Sequence, residues 1–61
     1  MDEKITKESA LEEIIKIQLS IDLLLNKVID QKAIYRSLQN SWDYLEYAKK
    51  FIERLIDENQ N

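Results

Sequence analysis

The chain of 61 residues contains no cysteine, histidine, glycine or proline. Without cysteine a small domain has no disulfides, and without histidine as well a zinc or haem site loses its usual ligands. Glycine and proline supply the turns of β-rich folds, so their joint absence favours a chain that is nearly all helix. A chain this short buries only about 60 % of its unfolded surface, which leaves oligomerisation as the remaining route to stability.

Neither sign of charge is concentrated in one part of the sequence. Nine basic and twelve acidic residues give a formal net charge of −3, which favours neither nucleic acid nor an anionic membrane as a partner. The longest apolar run is Leu23–Leu25, whereas a membrane span needs about 20 residues. The first ten residues lack the apolar core of a signal peptide. We therefore expect a cytoplasmic protein, and the abundance of Ile, Lys, Asn and Glu suggests a bacterial or phage origin.

Groups that could carry chemistry are scarce. The serines have no histidine or cysteine to activate them, and no glycine-rich turn offers an oxyanion hole or a phosphate cradle. Helical di-metal sites use Glu-x-x-His motifs, and this chain has no histidine. We predict that the protein is not an enzyme, with no catalytic residue, no cofactor and no metal.

The most apolar stretch is Ala10–Ile29, in which about half of the residues are large aliphatics. At about 100° per residue, one stripe of a helix comprises Ala10, Ile14, Ile17, Ile21, Leu24, Leu25 and Val28. A second stripe on the other flank comprises Ile15, Leu19 and Leu23. A helix that is apolar on two flanks needs two neighbours, and the rest of this chain can supply only one.

A polar ladder at i, i+4 spacing separates these stripes and comprises Gln18, Asp22 and Asn26. It could form a binding pocket, fix the register of a helix pair, or be solvated in a groove.

Candidate helix boundaries come from capping residues. The first helix could begin after Thr6, or after Ser9 in a capping box with Glu12. It could end near Asp30, which would cap a second helix from Gln31. The alternatives are a break at 39–41, with Ser41 as the cap, or one continuous helix, because a 3.5-residue repeat passes through Val28, Gln31, Tyr35, Leu38, Trp42 and Leu45. We predict the break near Asp30, with helix one over about 7–29 and helix two over about 31–58, in a single domain spanning 1–61.

Helix two is predicted to be amphipathic. Its predicted core line alternates small and large residues and comprises Ile34, Leu38, Ser41, Leu45, Ala48, Ile52 and Leu55. Tyr35 and Trp42 flank this line, either sealing its border or forming a binding hot spot. Glu46 and Lys50 are assigned to the outer face as an i, i+4 ion pair.

These features predict an all-α fold, an antiparallel two-helix hairpin that dimerises into a four-helix bundle; the alternative is a single long coiled-coil helix. In its length, its hairpin and the small–large alternation of helix two, this architecture resembles the repressor-of-primer (Rop) proteins, two-helix chains that dimerise and bind RNA. The resemblance extends to no sequence motif.

We predict a homodimeric protein-interaction module, a regulator, inhibitor or assembly factor, whose partner beyond its own copy is another protein. The predicted interface residues are Ile15, Leu19, Leu23, Tyr35 and Trp42. Two alternatives stay open, a Rop-like RNA-binding dimer and a purely structural coiled coil. For RNA, outward lysines such as Lys16, Lys27 and Lys32 would form a basic stripe, interrupted by nearby acidic residues.

Overall fold

A computed structural model describes residues 5–59 as two helices joined by a short connection. Helix α1 spans Lys7–Lys27 and helix α2 spans Lys32–Asn59, and the two pack against each other as a hairpin. The all-helical hairpin and the break near Asp30 are therefore confirmed. The alternatives of one continuous helix and of a break at 39–41 are wrong, because α2 runs unbroken through those positions.

Helix α1 begins with a reciprocal cap. Thr6 is the N-cap, with extended backbone at φ −81° and ψ 165°. Its Oγ1 accepts from the backbone N–H of Ser9 at 3.0 Å, and the Ser9 Oγ accepts from the Thr6 N–H at 3.0 Å. Two of the free donors of the first turn are thereby satisfied. The first of the two predicted starts is correct, and the capping box of Ser9 with Glu12 is wrong because Ser9 is already inside the helix.

The connection turns the chain without glycine or proline. The N–H of Val28 donates to the carbonyls of Leu24 and Leu25, each at 3.2 Å, and the N–H of Gln31 donates to the Val28 carbonyl at 2.8 Å. No residue between 5 and 59 has a positive φ, so this turn does not need glycine's left-handed conformations. The first helical bond of α2 runs from Tyr35 N–H to the Gln31 carbonyl at 2.9 Å. Gln31 therefore flanks the N-terminus of α2, one residue later than Asp30, the predicted cap.

The helices meet along one line of residues on each, which we call the seam. On α1 the least exposed positions that recur at three- and four-residue spacing are Leu11, Ile14, Gln18, Ile21, Leu25 and Val28. On α2 they are Tyr35, Leu38, Trp42, Leu45, Lys49, Ile52 and Ile56. Alternating steps of three and four residues are the 3.5-residue repeat of a coiled coil. The hairpin is thus a short antiparallel coiled coil.

The seam of α2 differs from the predicted core line. Leu38, Leu45 and Ile52 belong to both, but Ile34 is 46 % exposed and Ser41 is exposed as well. Helix α1 covers an arc that is rotated toward Tyr35 and Trp42. The predicted core line and the observed seam of α2 are both apolar enough to face a neighbouring helix, so only the packing of the hairpin distinguishes them.

The molecule is one layer of helices thick. Its extents are 46 × 29 × 13 Å, and a helix with its side chains is about 10–12 Å across. A hydrophobic core normally lies between two layers. Accordingly, no apolar side chain among the described residues is fully buried. Neither helix is long and apolar enough to cross a membrane over the residues described.

Candidate interaction surfaces

A polar layer interrupts the seam near its middle. Gln18 is the one buried polar residue in the described range, with 5 % of its surface exposed. Its Nε2 donates to Glu46 Oε1 at 3.1 Å and lies 3.5 Å from the Trp42 carbonyl oxygen. The same Glu46 oxygen is 3.2 Å from Lys49 Nζ. An amide, a carboxylate and an ammonium group therefore replace one apolar layer of the coiled coil.

The position of Glu46 corrects the sequence assignment. Glu46 was predicted on the outer face, paired with Lys50, but it points toward α1 and pairs with Lys49 across one helical turn. The Gln18 amide, and next to it the Lys49 ammonium, hold the pKa of the Glu46 carboxyl below its usual range. The carboxylate is thus stabilised in its charged form by both groups of the layer.

The polar ladder of α1 does not act as one unit. Gln18 is buried in the seam, whereas Asp22 and Asn26 are exposed. The three positions drift around the helix because i, i+4 steps exceed one turn by about 40°. Three roles were predicted for this ladder: a binding pocket, fixing the register of a helix pair, or solvation in a groove. The position of Gln18 fits the second role, and the exposure of Asp22 and Asn26 fits the third. A single buried polar residue opposite a specific partner penalises shifted pairings of the two helices.

Trp42 lies against the polar layer. Its indole Nε1 is buried and has no hydrogen-bond partner among the described residues. A buried N–H without a partner lowers stability. The ring therefore stabilises the seam through its apolar surface, whereas its buried N–H opposes that stabilisation.

The five predicted interface residues fall into two groups. Tyr35 and Trp42 are half-buried on the seam, where α1 already covers part of each ring. Ile15, Leu19 and Leu23 are 40 %, 58 % and 67 % exposed, and they follow one flank of α1 that we call the helix-one flank. Their role in an interface stays a prediction, but these three aliphatic side chains keep a large part of their surface exposed in the hairpin.

A second exposed apolar surface extends across both helices and includes Ile34 and Ala48, two residues of the predicted core line of helix two. On each helix, this surface lies on one side of the seam. It is the side of the residue that comes directly before the first seam residue of each seven-residue repeat. In an antiparallel coiled coil these two flanks face the same side of the pair. We call this surface the two-helix face; its main residues are Ile17, Leu24, Ile34, Tyr44, Ala48 and Phe51. Five of them are exposed by 42–78 %, and Ala48 is half-buried.

The two-helix face and the helix-one flank lie on opposite sides of the seam. Ile17 and Leu24 are about 160–220° from Ile15 and Leu19, measured around α1 across the seam line. A neighbour that covers one surface therefore leaves the other exposed. The two-helix face can be predicted only from the heptad positions of both helices taken together, because neither helix alone shows that the two flanks lie side by side.

Comparison with known proteins gives no relative for this chain. No family model matches it, and neither the curated proteins nor the solved structures include a significant match.

Proposed function

We propose that this chain is a small protein–protein interaction module that works as a homodimeric four-helix bundle. In that form it would act as a regulator, inhibitor or assembly factor of bacterial or phage origin. The observation that carries the proposal is a hairpin of two well-formed helices that leaves every apolar side chain of the described residues at least partly exposed.

The exposed area supports a second layer of helices. A compact monomer of this mass exposes about 4,200 Å² by the scaling of surface with mass, whereas this chain exposes 5394 Å². The excess, about 1,200 Å², is more than the roughly 800 Å² that each partner buries in a standard interface. A second copy of the hairpin that buries an interface of standard size would remove about two thirds of this excess.

The two-helix face is the better surface for that copy. Both helices contribute to it, so a second hairpin laid on it makes two helix–helix contacts at once. Added to the seam, it widens the apolar arc of each helix from the narrow stripe of a two-stranded coiled coil to the broader stripe of a bundle helix. The helix-one flank then stays exposed, and we propose it as the surface for a different protein.

The charges favour a protein partner over RNA. Lys16, one of the lysines expected in a basic stripe, has its Nζ 3.2 Å from Glu13 Oε2. Lys49 is engaged with Glu46 inside the seam, and the formal net charge is −3. Binding to phosphates requires free cations that release counterions.

Sedimentation equilibrium tests the dimer directly. The expected mass is that of two 7.3 kDa chains, and a monomer at all concentrations would overturn the proposal. The double variant Ile17→Glu with Leu24→Glu should sediment as a monomer or unfold, because it places four charges in the new interface. The matched control is Leu19→Glu with Leu23→Glu on the helix-one flank, which should remain a folded dimer by circular dichroism and sedimentation. Loss of the dimer in the control alone would move the interface to that flank.

A further inference from the structure

We infer that the second copy is related to the first by a two-fold axis perpendicular to the helices, close to Ser20 and Ser41. Helix α1 then packs antiparallel on α1 of the second copy, and α2 packs on its α2. This inference rests on the proposed homodimer, and it adds the orientation and register of the two copies.

The charges along the edge of α1 give the first argument. Glu13, Ser20 and Lys27 follow one another at seven-residue intervals, which is close to two turns, so all three lie on the same edge of the two-helix face. A two-fold axis at Ser20 places Glu13 of each copy opposite Lys27 of the other. The dimer thereby gains two ion pairs of opposite charge and no like-charge contact along this edge.

The apolar residues fit the same axis. An antiparallel pairing centred beside Ser20 sets Ile17 against Leu24 of the second copy. On α2, a centre at Ser41 sets Ile34 against Ala48 of the second copy, so a large side chain meets a small one. Complementary sizes of this kind allow two helices to approach closely while the layers stay filled.

The packing of the hairpin places the two centres of symmetry, Ser20 on α1 and Ser41 on α2, at nearly the same height along the helix axes. Gln18 contacts both Trp42 and Glu46, so residue 18 of α1 lies opposite about residue 44 of α2. Because the helices run in opposite directions, Ser20 lies opposite about residue 42, one residue from Ser41. One axis therefore serves both helix pairs, although each centre comes from a different helix.

The other symmetric arrangement loses these pairs. An axis parallel to the helices would place α1 over α2 of the second copy. At the same level, the edge residues opposite Glu13 and Lys27 would then be about Phe51 and Ser37. Both charges would face neutral side chains, so the charge pattern favours the perpendicular axis.

Cysteine cross-linking distinguishes the two arrangements, because the chain has no cysteine of its own. Ser20 and Ser41 are exposed and structurally alike, each with its Oγ donating to the carbonyl four residues earlier. Ser20→Cys alone and Ser41→Cys alone should each give a covalent dimer with a short bismaleimide. Ser37→Cys is the matched control, since its two copies would be separated by about 12 Å along the axis of the helices, and it should react far less.

Each alternative gives a different result. Cross-linking only in a mixture of Ser20→Cys and Ser41→Cys chains would show the parallel axis and overturn the inference. A dimer by sedimentation that gives neither product would also overturn it, while the proposed function would stand. A monomer by sedimentation would refute the proposed function itself.

A charge exchange provides a second, independent readout. Glu13→Lys should weaken dimerisation by about threefold to tenfold, as expected for two exposed ion pairs, and adding Lys27→Glu should restore it by reversing both pairs. Because Lys27→Glu does not restore the contact of residue 13 with Lys16 within the chain, rescue would report contacts between copies. Absence of rescue would count against the proposed pairing.

Discussion

Replacing Gln18 with leucine should raise the free energy of unfolding by about 1 kcal/mol. Burying a leucine side chain at this seam position contributes about 1.5–3 kcal/mol. The amide that it replaces donates to the Glu46 carboxylate, whose side chain is 26 % exposed. Solvent screening therefore reduces this charged hydrogen bond to the roughly 0.5–1.5 kcal/mol net of an ordinary one. Glu46 keeps its contact with Lys49 at 3.2 Å, and the Trp42 carbonyl lies within a helix that satisfies its backbone groups. The substitution therefore leaves no unpaired buried group.

Gln18→Ala is the matched control for this prediction. It removes the same hydrogen bond without restoring the apolar contact, so it should lower the free energy of unfolding by about 1–3 kcal/mol. Urea unfolding followed by circular dichroism measures both, at equal chain concentration because the proposed dimer makes stability depend on concentration. In thermal unfolding the leucine variant should gain about 4–8 °C. If the leucine variant loses as much stability as the alanine variant, the hydrogen bonds of the polar layer outweigh apolar burial and the reasoning is wrong.

Three further predictions follow from the cap, the polar layer and the indole. Thr6→Ala removes the side-chain acceptor for the Ser9 N–H and should cost about 1 kcal/mol in urea unfolding, whereas Glu12→Gln, outside the observed cap, should have little effect. Because the pKa of Glu46 is lowered in the folded state, chiefly by the hydrogen bond from Gln18, the carboxylate stabilises the fold at pH values above its unfolded pKa. This contribution is lost as the pH falls through the lowered folded pKa. Thermal melts from about pH 7 to about pH 2 at constant ionic strength should show this loss, and an unchanged acid limb in Glu46→Gln would contradict it. Trp42→Phe should change the free energy of unfolding by less than about 1 kcal/mol, because the loss of part of the ring's apolar surface is offset by removal of a buried N–H that has no partner among the described residues. A larger loss in chemical denaturation would contradict this offset.

Much of the fold could be predicted because it depends on local chemistry. Helix formation follows from the spacing of apolar residues and from the lack of glycine and proline, and Thr6 was among the predicted caps. The break near Asp30 was correct, although the structure begins α2 at Lys32 and flanks it with Gln31. Helix boundaries shift by one or two residues easily because several polar side chains can satisfy the same end groups.

The candidate surfaces were harder to predict, because they depend on which arc of each helix faces the other. The 3.5-residue repeat through Tyr35, Leu38 and Trp42 was attributed to a single long helix, and the structure uses it as the seam of the hairpin instead. Glu46 was placed outside because a charged residue is normally solvated. Its inward position is explained only by its contacts with Gln18 and Lys49.

The sequence by itself determined that this chain forms two amphipathic helices with more apolar surface than they can cover, because periodicity and composition act within each helix. The tertiary structure alone decided which residues remain uncovered. Burial depends on the arc that the neighbouring helix occupies, and the relative rotation of two helices is set by packing between residues far apart in the chain. That rotation places Ile15, Leu19 and Leu23 on one side of the hairpin and the two-helix face on the other.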